Sequence, residues 1–192
     1  MDERNTTDSL SGKLLIAMPG MGDPRFEHSV VFICAHSDEG AMGLIVNKPT
    51  PELKFSDLLA QLKIAPPPAE APTVAVHYGG PVEGGRGFVL HSADYSGNDS
   101  TLQVDGEFGM TATLDVLEDL SRGDGPIRCF LALGYAGWGP GQREDELQRN
   151  GWLTCDAAPE IVFSADPDRK WHMALASLGI DPLMLSATGG RA

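Results

Sequence analysis

Acidic, basic and imidazole side chains lie close together in segment 18–28, between two apolar runs. Asp23, Arg25 and Glu27 occupy alternate positions, and His28 follows directly. Groups of these three kinds, held this close together, can form a proton-transfer site. The structural interpretation is the stronger one, because Asp23 precedes a proline and this pair is typical of a capped helical turn. In that interpretation Arg25 and Glu27 face solvent.

A second candidate is the glycine-rich segment 134–142, which leads from an apolar run towards a helical pattern. Such a loop can bind phosphate through the backbone N–H groups of the helix start. The glycine patterns of dinucleotide and P-loop sites are absent, and residues 144–146 are all acidic, which disfavours an anion there. We favour a structural role, in which Gln142 caps the helix and Trp138 docks the loop by burial. A neutral or cationic ligand at Trp138 is the alternative.

Two histidines flank a third loop, 79–86. We predict a hairpin that pairs the strand containing His77 with the strand that follows Arg86, so that His91 lies about 10 Å further along than His77. Histidines that far apart cannot share a metal ion, and no zinc-binding spacing occurs elsewhere in the sequence. We therefore expect no metal and no cofactor. His77, Gly80 and Arg86 are candidates for contact with another ligand.

The cysteines are the remaining nucleophile candidates, because no serine lies in a Gly-x-Ser-x-Gly pattern. Cys34 and His36 share one face of a predicted strand and could form a thiolate pair. An apolar strand favours inert core cysteines, since burial raises the pKa of a thiol and hides it from substrate. Cys129 has the same interpretation, whereas Cys155, beside Asp156, is expected to be more exposed.

Alternating and 3.6-residue apolar patterns predict the elements that position these segments. Strands are predicted at 14–18, 29–36, 42–47, 73–78, 87–92, 102–104, 108–111, 127–133, 152–155 and 161–163. Helices are predicted at 55–62, from 114 to an end at Gly123, at 144–150, and after the Asp166-Pro167 cap as far as Gly179. Strand 29–36 is apolar on both faces, so it should be central. The irregular order and the many hairpin neighbours predict an α+β fold with a mixed or mainly antiparallel sheet.

The length of 192 residues favours one domain. Residues 1–11 are polar and predict a disordered tail, which leaves 12–192 as the domain. The proline-rich segment 65–72 is predicted to be a stiff surface crossover within that domain, because the residues before it are too few for an independent core.

The formal net charge of −13, with no basic stripe, argues against direct binding to nucleic acid or to an anionic membrane. The three cysteines contain no Cys-x-x-Cys pair, which is typical of a reducing compartment. No secretory signal and no apolar run of spanning length are visible. The sequence therefore predicts a cytoplasmic protein.

Taken together, four groups of motifs closely resemble the YqgE/AlgH family of bacterial proteins, over residues 12–192. They are MPGM at 18–21 with Asp23, Arg25, Phe26 and Glu27; GAMGLIVNKP at 40–49; GGPV at 79–82 with RGFVLH at 86–91; and GWGPGQ at 137–142 with Glu144, Glu146 and NGWL at 150–153. Arg143 and Arg191 stand where that family usually has leucine and histidine. The resemblance implies a single α+β domain built on a coiled, bifurcated β-sheet packed with a few helices.

The resemblance implies less about function, because the biochemical activity of the family is uncharacterised. One branch carries the label of a transcriptional regulator of exopolysaccharide production. We therefore favour a cytoplasmic regulatory or interaction module that acts through a protein or small-ligand partner and does not contact DNA directly. The alternative is an enzyme of unknown class whose site gathers segments 18–28, 79–86 and 134–142 at one end of the sheet.

Overall fold

The computed structural model describes residues 10–18, 28–37, 39–50, 52–67, 74–95, 101–104, 106–112, 114–139, 152–164 and 166–180. The strands are β1 (Lys13–Ala17), β2 (Val30–Ser37), β3 (Gly40–Ile45), β4 (Ala75–Tyr78), β5 (Val82–Ser92), β6 (Thr101–Val104), β7 (Phe108–Thr111), β8 (Cys129–Trp138) and β9 (Trp152–Asp156). The helices are α1 (Phe55–Gln61), α2 (Leu114–Arg122), α3 (Pro159–Val162) and α4 (Pro167–Ser177). Most of the predicted tail, the end of the crossover and the predicted helix 144–150 lie outside the described residues.

The nine strands form one curled, mainly antiparallel sheet that forks at β8. The first half of β8 lies between β5, which is antiparallel to it, and β4, which is parallel to it. At its far end β8 exchanges β4 for β3, which pairs at Gly137 and Trp138. The remaining strands continue from β3 through β2 and β1 to β9, and from β5 through β7 to β6. This arrangement confirms the predicted α+β class and the bifurcated sheet.

Strand β2 shows why the sheet has apolar side chains on both faces. It lies between β1, which pairs with residues 30–32, and β3, which pairs with most of its length, so both of its edges have a neighbour. Phe32 and its neighbours of even number pack in one core cluster, whereas Val31 and Ile33 pack in a second cluster on the other face. The prediction of a central strand is therefore confirmed.

The predicted hairpin between strands 73–78 and 87–92 is wrong, because β8 lies between β4 and β5. The predicted register nevertheless holds across the intervening strand, since both His77 and Phe88 pair with Ala132. A two-sided apolar strand from elsewhere in the chain displaced the local pairing. Two segments predicted as loops also contribute to the sheet, because residues 82–86 belong to the strand Val82–Ser92 and residues 134–138 to the strand Cys129–Trp138.

The predicted strand 161–163 is also wrong, since Ile161 belongs to the short helix α3. Pro159 at the first helical position fixes a helical φ there, and three apolar residues are too few to impose strand pairing. The cap of α4 is confirmed: the Asp166 carboxylate accepts the backbone N–H of Asp168 at 3.1 Å, and Gly179 has φ +75° after the helix end.

Candidate functional site

A cavity of about 330 Å³ lies between β4, the start of β8 and the N-terminal end of α4. Its aromatic lining residues are Phe55, Phe130 and Phe163, and its polar ones include His77, Arg128, Ser164 and Lys170. We call it the His77–Lys170 cavity. Strand β4 positions His77, β8 positions Phe130, and α4 positions Lys170.

His77 is a buried polar side chain without a polar partner. It is 3% exposed, and neither ring nitrogen has a hydrogen-bond partner in the structure. Its ring lies 4.6 Å from that of Phe130, centroid to centroid. Burial, together with the positive charge of Lys170, lowers the pKa of His77 to about 4, so the imidazole is neutral near pH 7. An unsatisfied buried ring of this kind needs an explanation, and a ligand group in the cavity is one.

Lys170 is the most deeply buried cation of the described residues, at 1% exposure. Its ammonium donates to the carbonyl oxygens of Val46 and Val162, both at 2.7 Å, and lies 5.0 Å from the centre of the Phe130 ring. Burial lowers the pKa of Lys170 to about 8, which leaves most molecules cationic at pH 7. Two of its three N–H groups are therefore occupied by the backbone.

The described lining of the cavity carries positive charge, although the chain is strongly acidic. None of its described lining residues is acidic, although the chain carries 27 Asp and Glu residues. Lys170 and His77 are both buried, and we call their part of the lining the buried end; the exposed Arg128 adds a second cation. Charged side chains inside a low-dielectric cavity act more strongly than the same charges in water. The cavity is therefore suited to a small anion or a polar neutral group.

The other described candidates lie away from this cavity. Trp138 is 6% exposed and packs edge-on to Trp152 at 6.5 Å in a separate core cluster, in keeping with its predicted docking role. Arg86 is exposed, lies 5.2 Å from the centre of the Phe88 ring and pairs with Glu83 at 3.8 Å. Neither residue lines the cavity with His77.

Gly80 has a steric role in the described structure. It crosses β8 at the fork of the sheet with φ +154°, and a Cβ on it would lie 2.1 Å from the carbonyl carbon of Tyr135. This position demands close backbone approach, which only glycine permits. Asp23, Arg25, Glu27 and Gln142 lie outside the described residues, so the structure tests none of their predicted roles.

Sequence reasoning identified His77 but did not single out Lys170. The signal that could have identified Lys170 is its position within the apolar stripe of α4, next to Trp171 and four residues before the buried Ala174. A lysine in such a stripe must either extend to water or find acceptors inside the protein. Here the acceptors come from the chain just after β3 and from the end of α3, which sequence periodicity cannot place together.

Cys34 is a core residue, as predicted: it is 3% exposed, and burial raises the pKa of its thiol. His36 accepts the backbone N–H of Leu10 through Nδ1 at 3.0 Å. The expectation for Cys155 is wrong, because that residue is only 7% exposed. Cys129 is half-buried and lines the cavity.

Brief alkylation of the folded protein is therefore expected to label Cys129 first and to leave Cys34 unlabelled. Reaction at Cys129 will be slow, because burial and the nearby charge of Asp94 raise the pKa of its thiol to about 12. Peptide mass spectrometry after N-ethylmaleimide treatment, with a denatured sample as the full-labelling control, measures the order. Faster labelling of Cys34 than of Cys129 would contradict the core assignment.

Folding stability is expected to fall as the pH decreases from about 6.5 towards 4, partly because of His77. The folded state holds the pKa of His77 near 4, so the unfolded chain, with an ordinary histidine pKa near 6.5, binds the proton first. The full contribution of this group is about 3 kcal/mol. Burial of His91 also lowers its pKa and contributes in the same direction.

Urea unfolding of the natural protein and of His77→Phe at several pH values between 7 and 4 measures this contribution. The variant should show a shallower loss of stability, and the part that remains belongs to His91 and other groups. His172→Phe is the matched control, because His172 is exposed. Parallel curves for the natural protein and His77→Phe would show that the pKa of His77 is not lowered.

The architecture allows a direct comparison with known proteins. The sequence pattern of the AlgH-like family matches residues 14–183. The chain belongs to the AlgH-like family. A UPF0301 protein of Ruegeria pomeroyi is 61% identical, and one of Cereibacter sphaeroides is 59% identical; each alignment covers 95% of this chain and 99% of the relative. The resemblance predicted from the motifs is confirmed.

Two solved structures share the AlgH-like fold. The solution structure of the AlgH protein from Pseudomonas aeruginosa has a TM-score of 0.77 and 43% identity, and 94% of each chain is covered. The crystal structure of a Corynebacterium diphtheriae protein has a TM-score of 0.72 at 19% identity, with 92% of this chain and 91% of that chain covered, which shows the fold alone. In the part of our AlgH-like chain that the structure describes, no helix is long and apolar enough to cross a membrane.

Proposed function

We propose that this AlgH-like protein is a cytoplasmic regulatory module that responds to a small molecule bound in the His77–Lys170 cavity. The observation that supports it is the buried imidazole of His77, whose two ring nitrogens have no hydrogen-bond partner. A buried polar group without a partner costs about 1–3 kcal/mol of stability. A bound molecule that forms hydrogen bonds with the ring would recover that cost. The unpaired ring is therefore explained better by ligand binding than by a contribution to folding stability.

The charge of the protein supports an indirect role in any regulation of transcription. Binding to DNA gains free energy when basic side chains displace condensed counterions, and a chain with a net charge of −13 is repelled at long range. Small anions are a different case, because a local electropositive cavity can hold them within an acidic protein. We therefore propose that the small molecule binds in the cavity and that the protein then acts on a protein partner and not on DNA.

The enzyme alternative has weaker support. It requires segments 18–28, 79–86 and 134–142 to share a cleft, and most of the first segment lies outside the described residues. In the other two segments, the described residues Arg86 and Trp138 lie apart from His77 and from its cavity. No described residue of those segments completes a general acid and base pair with His77.

A small-molecule library screened by thermal shift tests the proposed function. Compounds that bind the cavity should raise the melting temperature, since a ligand that binds only the folded state stabilises it by mass action. The same compounds should leave the melting temperature of His77→Phe unchanged. This variant should fold, because it removes two polar atoms that lack partners. If no compound raises the melting temperature, or if every active compound acts equally on the variant, the proposed function is wrong.

The DNA part of the proposal has its own measurement. Fluorescence titration with promoter fragments of the source organism at physiological salt should show no submicromolar, sequence-dependent binding. Such binding would contradict the indirect role, whatever the screen of small molecules shows.

A further inference from the structure

We infer that the molecule which the His77–Lys170 cavity binds is a small carboxylate with a flat apolar body, such as an aryl carboxylate. This inference rests on the proposed function and adds the chemical class of the ligand. It depends on the hydrogen-bond donors at the buried end of the cavity, on the charges of its lining and on its aromatic walls.

The buried end of the cavity offers a small number of donors. Lys170 has three N–H groups, and the carbonyl oxygens of Val46 and Val162 accept two of them. One N–H of the ammonium is therefore left. His77, in its neutral form, carries one ring N–H that donates and one bare ring nitrogen that accepts, and neither has a partner in the structure. Two unmatched N–H donors correspond to the two oxygens of a carboxylate.

The charged residues of the cavity lining indicate the sign of the ligand's charge. Lys170 brings a positive charge to the buried end, and no described lining residue brings a negative one. Arg128 lines the same cavity, and no described carboxylate pairs with its guanidinium; the carboxylate of Asp94, which is outside the lining, accepts the backbone N–H of Ile127 at 3.0 Å. A buried cation without a counter-charge is costly, and an anionic ligand offsets that cost. The ligand should therefore carry a negative charge.

The ligand should carry a single negative charge, which favours a carboxylate over a phosphate. A phosphate group carries a charge between −1 and −2 near pH 7 and at least three strong acceptor oxygens. Lys170 and His77 supply two donors at the buried end, and the side chain of Arg128 is exposed, so part of those acceptors would lose their water without gaining a partner, which is unfavourable. A monoanionic carboxylate avoids this cost.

The remaining walls favour a flat apolar body. Phe55, Phe130 and Phe163 line the cavity, and backbone and apolar side chains from the segment after α2 complete it. Aromatic rings pack well against such walls in edge-on or offset arrangements. A volume of about 330 Å³ lies at the small end of known ligand pockets, which suits one ring with a short acidic side chain.

The test uses the full chain and matched pairs of fluorinated compounds observed by 19F NMR. Each pair consists of an aryl carboxylate, such as 4-fluorophenylacetate, and its primary amide. The acids should bind about tenfold more tightly than the amides, because hydrogen bonds to a charged group are the stronger ones. Arg128→Gln should weaken the acids and not the amides, and His77→Phe should weaken the acids by about tenfold. Inorganic phosphate should not displace them.

Several results would overturn the inference while leaving the proposed function intact. They are equal affinity of acids and amides, displacement by inorganic phosphate, and failure of the acids in a protein that binds other library compounds through His77. Acids whose binding is unchanged in both His77→Phe and Arg128→Gln bind elsewhere, which also overturns it. If no compound of any class binds through His77, the proposed function itself fails. Both variants avoid Lys170, whose loss is expected to damage the fold.

Discussion

Gly80→Ala is expected to lower the free energy of unfolding by at least about 3 kcal/mol, because backbone atoms occupy the space that the new methyl group needs. Built on the observed backbone, the Cβ would lie 2.1 Å from the carbonyl carbon of Tyr135 and 2.4 Å from the amide nitrogen of Ala136. Backbone cannot turn aside as a flexible side chain can. The φ of +154° adds strain for any residue with a Cβ.

The consequence of this clash reaches beyond one turn, because Gly80 crosses β8 at the place where the sheet forks. The neighbouring Gly79 donates its N–H to Leu133 and accepts the N–H of Ile45, so it joins β8 to the end of β3. A shift of Gly80 therefore disturbs both branches of the sheet. Urea unfolding followed by circular dichroism measures the loss.

Gly84→Ala is the matched control, since it lies in the same glycine-rich segment and a Cβ there meets nothing within 4 Å. Its stability should stay within about 0.5 kcal/mol of the natural protein. Equal losses in the two variants would show that the segment is sensitive for another reason, and a negligible loss in Gly80→Ala would show that the crossing relaxes easily.

The elements that could be predicted from sequence are those whose signals are local. Helix α4 has a carboxylate cap, a proline at the first helical position and a glycine at its end, and each device acts within a few residues. The central place of β2 could be predicted because both of its faces are apolar, and a strand with two buried faces needs a neighbour on each edge. The fork of the sheet could be predicted only from the family resemblance.

The mistaken prediction that β4 pairs directly with β5 could not be corrected from the sequence. The two strands are close in the chain, and loop-closure entropy favours joining them directly. Strand β8 enters between them from about forty positions further along the chain, since burial of its apolar residues outweighs the additional entropy of closing a longer loop. No local pattern distinguishes these outcomes.

The candidate site was predictable in part for a similar reason. His77 could be singled out as an imidazole beside a glycine-rich loop, yet its neighbours were expected to come from the hairpin and in fact come from β8 and α4. Lys170 lies 93 positions after His77 (170 − 77), and only the packing of α4 against the sheet brings its charge within range of the His77 ring. Side chains that act together across such distances become visible only when the fold is known.

Lys170→Met is expected to lower the free energy of unfolding by about 3 kcal/mol, because it leaves two buried carbonyl groups without a donor. The ammonium joins the C-terminal end of α3, through the oxygen of Val162, to the chain just after β3, through the oxygen of Val46. Methionine keeps most of the volume and all of the helix propensity, so packing and local helix stability change little. Removal of a costly buried charge offsets part of the loss, which is why the expected value is below the sum of two charged hydrogen bonds.

Arg169→Met is the control for this variant, since Arg169 is exposed on the same helix and should change stability by less than about 0.5 kcal/mol. Guanidinium unfolding of both variants at pH 7, where Lys170 is mostly cationic, measures the difference. A loss below about 1 kcal/mol for Lys170→Met would mean that the two carbonyl groups find other donors and that the ammonium is not needed for folding. Burial of this cation in a chain of net charge −13 would then be explained by binding alone, which strengthens the case for an anion in the cavity. A loss of the expected size instead gives the charge two roles, one in holding α4 to the sheet and one facing the ligand.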